Sequence, residues 1–155
     1  RLKESLDASA AKGLPRYEVF QPEYNLYDRQ GFEEGVGPIC REHGLGVIVY
    51  FALAKGFLTG KYRSEGDLGK SVRGKGIKDY LGERGMRILK ALDETAEKHG
   101  VSHAAVSLAW LMAKPPVTAP IASATKTNHL KSFAEAAALR LDAEDMTKLD
   151  EASAY

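Results

Sequence analysis

Apolar residues recur at helical spacing through much of the chain, and glycine, proline or a capping side chain stands at the ends of these stretches. The predicted helices cover residues 1–13, 32–44, 82–99, 103–113 and 128–139, with a short last helix after residue 142. Ser102 and Thr127 are the expected N-caps of the fourth and fifth helices. Asp142, followed three residues later by Asp145, resembles the capping box of a sixth helix.

Three shorter stretches between the predicted helices carry the pattern of strands. The unbroken, β-branched apolar run 46–53 is typical of a strand buried on both faces of a parallel sheet. The β-rich run 16–22 ends at Pro22, and a weaker strand is predicted over 117–123, where Pro120 interrupts the pattern. Strands alternating with helices predict right-handed βαβ units and an α/β fold. Three strands are too few to close a parallel barrel, which needs eight.

Composition and charge narrow the class of protein. The chain has 155 residues, 44% hydrophobic and 28% charged, the balance of one soluble globular domain. A net charge of +1 is too small to produce an overall electrostatic field that would attract nucleic acid. No apolar run approaches the roughly 18 residues of a membrane span. The single cysteine, Cys40, excludes an internal disulfide and fits a reducing compartment, so a cytoplasmic location is expected. Because the chain opens at Arg1 inside a predicted helix, we expect a piece of a longer protein.

Several phosphate and metal patterns fail on spacing. The stretch 56–62 has one residue too few between its glycines for a nucleoside-triphosphate loop, and Tyr62 stands where that loop needs serine or threonine. No Gly-x-Gly-x-x-Gly follows a predicted strand. The four histidines have no acidic partner at ligand spacing, so we expect them at the surface and predict no metal site. Cys40, Trp110 and Met112 are expected in the core.

Two stretches remain as candidate sites, and each follows a predicted strand. The loop after Tyr50 carries Gly56 and two lysines. In the stretch 120–130, a strand runs through small residues into a helix N-terminus, where backbone N–H groups, the helix dipole and Lys126 favour an anion. The carboxyl ends of parallel strands are the edge at which α/β folds place their ligands. The glycine- and charge-rich stretch 62–80 is predicted as a long loop between the two candidates.

The stretches VFQPEYNL (19–26), VYFALAKGFLTGKY (49–62) and PIASATKTNHL (120–130) resemble the aldo-keto reductase family in wording, order and spacing. The resemblance covers the whole chain. It implies the C-terminal portion of a (β/α)8 TIM barrel, strands six to eight with their helices. On this basis residues 1–155 form one partial aldo-keto reductase domain that lacks the first five strands.

The resemblance implies that the chain binds a nicotinamide cofactor, NADPH in preference to NADH. Gln21 would hydrogen-bond the nicotinamide carboxamide, and Tyr50 would stack on the nicotinamide ring. The segment around the pyrophosphate would comprise Phe51, Ala52, Leu53, Ala54, Lys55 and Gly56. The turn that receives the adenosine 2′-phosphate would comprise Ser123, Ala124, Thr125 and Lys126. His129 stands near the adenine end, where the family commonly has glutamine.

The resemblance also implies an oxidoreductase that reduces aldehydes or ketones, as small carbonyl substrates, to alcohols by hydride transfer. The family's catalytic tetrad of aspartate, tyrosine, lysine and histidine lies on the first four strands. No catalytic residue is therefore assigned in this chain, and we expect the chain alone to be inactive. The alternative is a non-catalytic cofactor-binding or interaction half barrel, completed by another chain or by self-association, because half a barrel exposes strand edges and an apolar inner face.

Overall fold

Six α-helices and three short strands make up the part of the chain that the computed structural model describes, residues 1–70 and 74–155. The helices are α1 (Leu2–Lys12), α2 (Gly37–Glu42), α3 (Glu83–His99), α4 (His103–Met112), α5 (Thr127–Ala138) and α6 (Ala143–Ala152). The strands are β1 (Val19–Phe20), β2 (Gly46–Val49) and β3 (Val117–Pro120). A π-helical turn, Gly31–Val36, precedes α2, and 3₁₀ turns occupy Ala54–Thr59, Glu65–Lys70 and Gly74–Tyr80. The predicted loop 62–80 therefore contains two of these turns, and its residues 71–73 lie outside the described part.

The three strands form one parallel sheet in the order β1-β2-β3, which confirms the predicted α/β class. Hydrogen bonding continues one step past the strands. The N–H of Tyr50 donates to the carbonyl of Pro22 at 2.9 Å, and the N–H of Ile121 donates to the carbonyl of Val49 at 2.9 Å. Because the strands are parallel, the segments that follow all three leave from the same edge of the sheet.

Helices cover one face of the sheet. Val47 and Val49 of β2 are fully buried, and they belong to a core that includes Trp110 of α4. Helix α4 packs against β3, α3 and α5, and α6 packs against α3. This helical layer holds the sheet from one side and leaves its carboxyl edge accessible.

The other face of β2 is partly exposed, which corrects the expectation of a strand buried on both faces. Gly46 and Ile48 alternate with the buried valines and are only partly covered. The strand ends at Val49 instead of continuing to residue 53. Phe51 has a φ angle of 50°, a left-handed conformation that a strand does not contain. The apolar run therefore encodes a short strand followed by a turn.

The helix ends agree with most of the predicted signals. The Ser102 side chain caps α4, and Asp142 forms a capping box with Asp145 at the start of α6, so both predictions are confirmed. The expected cap at Thr127 is wrong, because Lys126 occupies the N-cap position without a side-chain hydrogen bond and Thr127 is already helical. The backbone donors at the start of α5 consequently lack a side-chain cap from this position.

Three side chains were predicted in the core, and two of them are buried. Cys40 and Trp110 are fully buried, as predicted. Met112 was expected in the core and is 40% exposed, because it is the last residue of α4 and lies at the rim of the helical layer. Within the described ranges, no helix combines the length and apolar character needed to cross a membrane.

Candidate functional site

The chain turns sharply after β2 through residues 51–60, which we call the β2 loop. Phe51, Ala54 and Lys55 have positive φ angles of 50°, 46° and 56°, and Gly56 follows at 99°. The N–H groups of Ala54 and Gly56 donate to carbonyls three residues earlier, at 2.7 and 2.8 Å. A left-handed conformation costs a non-glycine residue roughly 1–2 kcal/mol. Strain of this kind concentrates at ligand-binding and catalytic segments, so the β2 loop is a candidate site on geometry alone.

A buried asparagine in the segment after β1 donates a hydrogen bond to the backbone of the β2 loop. The Asn25 side chain is fully buried and donates to the carbonyl of Phe51 at 3.0 Å and to Asp28 Oδ2 at 3.1 Å. Its Oδ1 accepts the N–H groups of Tyr27 and Asp28 at 2.8 and 2.9 Å. The sequence analysis did not select Asn25. The side chain of an asparagine in an Asx turn accepts N–H groups from the residues that follow it, and this pattern could have identified Asn25.

Two ammonium groups lie close to the β2 loop. Lys55 Nζ lies 5.6 Å from the centroid of the Phe51 ring. Lys61 Nζ lies 3.5 Å from the position that a Cβ atom would take on Gly56, so this exposed lysine folds back over the loop. Burial raises the pKa of the nearby Glu23 carboxyl, whereas Lys55 acts to lower it. Lys55 therefore interacts electrostatically with an acidic neighbour, and Lys61 adds a second positive charge beside the glycine.

The predicted nicotinamide-facing residues lie at neighbouring strand ends. Gln21 directly follows β1 and is exposed, and Tyr50 directly follows β2 and is 39% exposed, with its ring 5.3 Å from that of Phe51. Ala52 and Ala54 point into the core and are buried, so any contact they make with a ligand at this edge would come from the backbone. The remaining predicted residues of the β2 loop are partly buried: Leu53, Lys55 and Gly56.

The predicted phosphate turn follows β3 and is open to solvent. Ser123, Ala124, Thr125 and Lys126 are all exposed, and they lead directly into the N-terminus of the 12-residue helix α5. His129, in the first turn of α5, is partly buried, and its Nδ1 accepts the N–H of Thr125 at 3.2 Å. The histidine therefore fixes the shape of the turn. The turn offers uncapped backbone donors, a helix dipole and one ammonium group.

Two other histidines correct the expectation of surface histidines without acidic partners. His99 Nε2 lies 2.7 Å from Asp145 Oδ2, and His103 Nε2 lies 2.6 Å from Asp93 Oδ1. The fold supplies these partners from positions 46 and 10 residues away, which spacing along the chain does not reveal. In the described part of the chain, no group of three histidine, cysteine or acidic side chains could hold a metal ion.

A family model described as the aldo/keto reductase family matches residues 4–154 of this chain. The chain belongs to the aldo/keto reductase family. This membership confirms the resemblance carried by the three quoted stretches. It implies that the parallel sheet and its helices are part of a TIM barrel.

Several curated relatives share about a third of their residues with this chain. The chain is 33% identical over 145 residues to the aldo-keto reductase ausK of Emericella nidulans, covering 90% of this chain and 35% of the relative. It is 31% identical over 142 residues to the L-glyceraldehyde 3-phosphate reductase of Escherichia coli O157:H7, covering 86% and 40%. It is 34% identical over 119 residues to a probable voltage-gated potassium channel subunit beta of Oryza sativa subsp. japonica, covering 72% and 36%. The chain thus spans 35–40% of the length of these relatives.

Proposed function

We propose that this chain supplies much of the cofactor site of an NADPH-dependent aldo-keto reductase, with β1, β2 and β3 as strands six, seven and eight of the barrel. The observation that carries the proposal is the convergence of three unlike features on one edge of the sheet. These are the exposed Gln21 and Tyr50 at adjacent strand ends, the strained β2 loop, and the uncapped N-terminus of α5. Family membership of nearly the whole chain supports a nicotinamide cofactor as the ligand for this edge.

The residues present fit each part of such a cofactor. The exposed ring of Tyr50 stacks on the nicotinamide, and the amide of Gln21 hydrogen-bonds its carboxamide. The β2 loop holds the pyrophosphate through its backbone, with Lys55 and Lys61 as counter-charges. Ser123, Ala124, Thr125 and Lys126 hold the 2′-phosphate. His129 shapes that turn through Thr125 and stands at the adenine end.

When bound, NADPH supplies the hydride that reduces an aldehyde or ketone to an alcohol. The residues of this chain bind and orient the cofactor, and we assign none of them to proton transfer. The pyrophosphate loop follows the central strand β2 and the short, exposed phosphate turn follows the neighbouring edge strand β3, so the two phosphate sites would fix the cofactor along that edge. The substrate is a small carbonyl compound in the complete protein.

Titration of the chain with NADPH and with NADH, followed by cofactor fluorescence, tests the proposal. We expect binding of NADPH and weaker binding of NADH, because the turn before α5 offers partners to the 2′-phosphate that NADH lacks. Equal affinity for the two cofactors would remove the 2′-phosphate assignment. Absence of any binding would remove the proposed cofactor site as a whole.

We also propose that the 155-residue chain alone has no reductase activity, because its segments do not resemble those that carry the family's catalytic tetrad. An assay of NADPH consumption with a generic aldehyde, on purified chain of confirmed intact mass, tests this. The expected result is a rate equal to that of buffer. Turnover by the intact chain would overturn the assignment.

A second candidate is a non-catalytic half barrel that acts by association. The exposed apolar side chains on the uncovered face of the sheet favour it, and one relative is described as a probable channel subunit. In this case a second copy of the chain or another chain completes the barrel. Light scattering tests this second candidate, since a strictly monomeric chain would count against it and would leave the first candidate unaffected.

A further inference from the structure

The β2 loop ends at a cluster of side chains from two other elements. Gly60 and Arg63 lie on and just after the loop, Asp93 lies on α3, and His103 is the first residue of α4; we call these four residues the Asp93 clamp. Arg63 donates through Nη1 and Nη2 to the two carboxylate oxygens of Asp93 at 2.8 and 2.6 Å. His103 Nε2 lies 2.6 Å from Asp93 Oδ1. One carboxylate thus joins the chain after the loop to both helices.

The clamp also holds the backbone of the loop. Arg63 Nε donates to the carbonyl of Gly60 at 2.9 Å. Gly60 has a φ angle of 77°, and a Cβ atom there would lie 3.1 Å from Arg63 Nη2 and 3.2 Å from the His103 ring. The backbone at Gly60 therefore fits closely against the clamp, and its N–H donates to Phe57 of the preceding turn at 3.1 Å. Movement of Arg63 would release the end of the β2 loop.

The geometry of the ion pair suits a positioning role. A bidentate arginine–carboxylate pair fixes orientation as well as distance, which a single lysine contact does not. The pair raises the pKa of Arg63, and the Arg63 hydrogen bond lowers the pKa of Asp93. Both groups are accordingly charged at neutral pH, as the two-pronged contact requires.

We infer that Asp93 is a positioning residue for cofactor binding, acting through Arg63 and Gly60 on the conformation of the β2 loop. The inference rests on the proposed function of the loop. Asp93 itself lies on the helical layer, and its hydrogen-bond partners among the described residues are Arg63 and His103, neither of which is assigned to the cofactor. Its effect is to keep the strained turns in one arrangement before the ligand arrives, which reduces the conformational cost of binding.

Two substitutions and a matched control test the inference in the full 155-residue chain. Asp93→Asn removes the charge that both partners need, and Arg63→Lys keeps the positive charge but loses the two-pronged contact and the bond to Gly60. The control is Glu94→Gln, because Glu94 is the next residue on α3, pairs with Lys148 of α6 at 3.1 Å, and is 47% exposed against 45% for Asp93. The control breaks a carboxylate ion pair of similar exposure that does not touch the loop.

Two measurements are made on each variant. In NADPH titrations we expect Asp93→Asn and Arg63→Lys to weaken binding about fivefold and Glu94→Gln to leave it unchanged, since about 1 kcal/mol corresponds to about fivefold. In hydrogen exchange we expect the amides of Gly56 and Gly60 to exchange faster in the two clamp variants. The amide of Leu139, bonded to Glu135 in α5, should keep its wild-type rate, which excludes general destabilisation.

The outcomes separate this inference from the proposed function. If wild-type chain binds NADPH and the clamp variants bind it as tightly as Glu94→Gln, the inference is overturned and the proposed function stands. If wild-type chain binds no cofactor, the proposed function fails and hydrogen exchange decides the positioning role. Faster exchange at Gly56 and Gly60 alone then supports the effect of the clamp on the conformation of the loop but not its role in cofactor binding, and unchanged exchange overturns both.

Discussion

At the scale of single residues, we expect Lys126 to decide the preference for one cofactor over the other. It stands at the N-cap position of α5, is exposed, and is the one side-chain cation we assign to the 2′-phosphate. We predict that Lys126→Glu abolishes the preference for NADPH over NADH, because a carboxylate at this position repels the phosphate that distinguishes the two. Fluorescence titrations with both cofactors measure the ratio.

The matched control for this change is Lys131→Glu. Lys131 lies one turn further along α5 and is 81% exposed, so the substitution makes the same change of charge on the same helix. We expect it to keep the wild-type ratio of affinities. A loss of preference in both variants, or in neither, would contradict the role of Lys126.

Asn25 is predicted to be the residue on which the fold of the site depends most. Of its four side-chain hydrogen bonds, three shape the segment after β1 and one joins that segment to the carbonyl of Phe51. Asn25→Ala leaves buried partners unsatisfied, and we expect a loss of about 3 kcal/mol in the free energy of unfolding. Urea denaturation measures it. The control Gln30→Ala removes an exposed side chain whose one hydrogen bond within the described residues goes to Glu34, and it should cost less than about 0.5 kcal/mol.

Single residues also show which parts of the candidate site the sequence could predict and which parts it could not. The sequence could predict roles for Gln21, Tyr50 and the turn before α5. Each directly follows a predicted strand and lies in a stretch that resembles the family. Lys61 could not be assigned to the site, because its approach to Gly56 depends on the two turns between them. The partners of the histidines were missed for the same reason: tertiary contacts join residues whose separation carries no pattern.

At the scale of elements, α3 and α6 are joined by a carboxylate cluster that makes stability depend on pH. The ion pair with Lys98, at 2.8 Å, lowers the pKa of Asp142 to about 2. A carboxyl with a lower pKa in the folded chain than in the unfolded chain, where it is about 4, stabilises the fold above that value. This contribution is lost as the pH falls from about 4 to about 2. We therefore expect the free energy of unfolding to fall in this window.

Asp142→Asn isolates this contribution. Asparagine is as good an N-cap as aspartate but does not titrate, so the variant should lose less stability between pH 6 and pH 3 than the wild type does. Urea denaturation at the two pH values gives the difference. Asp7→Asn, in the exposed pair with Lys3 of α1, is the control and should retain the wild-type dependence. An equal pH dependence in wild type and Asp142→Asn would refute the prediction.

The type of each helix or strand was easier to predict than its length. The helices and the three parallel strands follow from periodicity and from end signals such as Ser102 and Asp142. The strand predicted over 46–53 is four residues long, because the same apolar residues that suit a strand also suit a buried turn. Hydrophobicity indicates that a residue is buried. It does not indicate the left-handed φ angle of Phe51 that ends the strand.

At the scale of the whole molecule, the sheet presents an uncovered face and two open edges. In the part of the chain that is described, β1 and β3 each pair with β2 alone. Val19, Tyr50 and Ile121, at or next to the strand ends, are 50%, 39% and 43% exposed. Unpaired edges beside apolar side chains favour pairing with another chain. We predict that the purified chain self-associates, with a mass by light scattering above that of one chain.

Val19→Lys tests whether the sheet makes this contact. A lysine on the edge strand β1 should shift the chain towards the monomer, because a charged side chain at an edge opposes strand pairing. Leu130→Lys is the control, since Leu130 is 56% exposed but lies on helix α5 and not on a strand, and this variant should associate as the wild type does. A wild-type chain that stays monomeric at every concentration would rule out self-association. Dissociation by Leu130→Lys instead of Val19→Lys would place the contact on the helical layer.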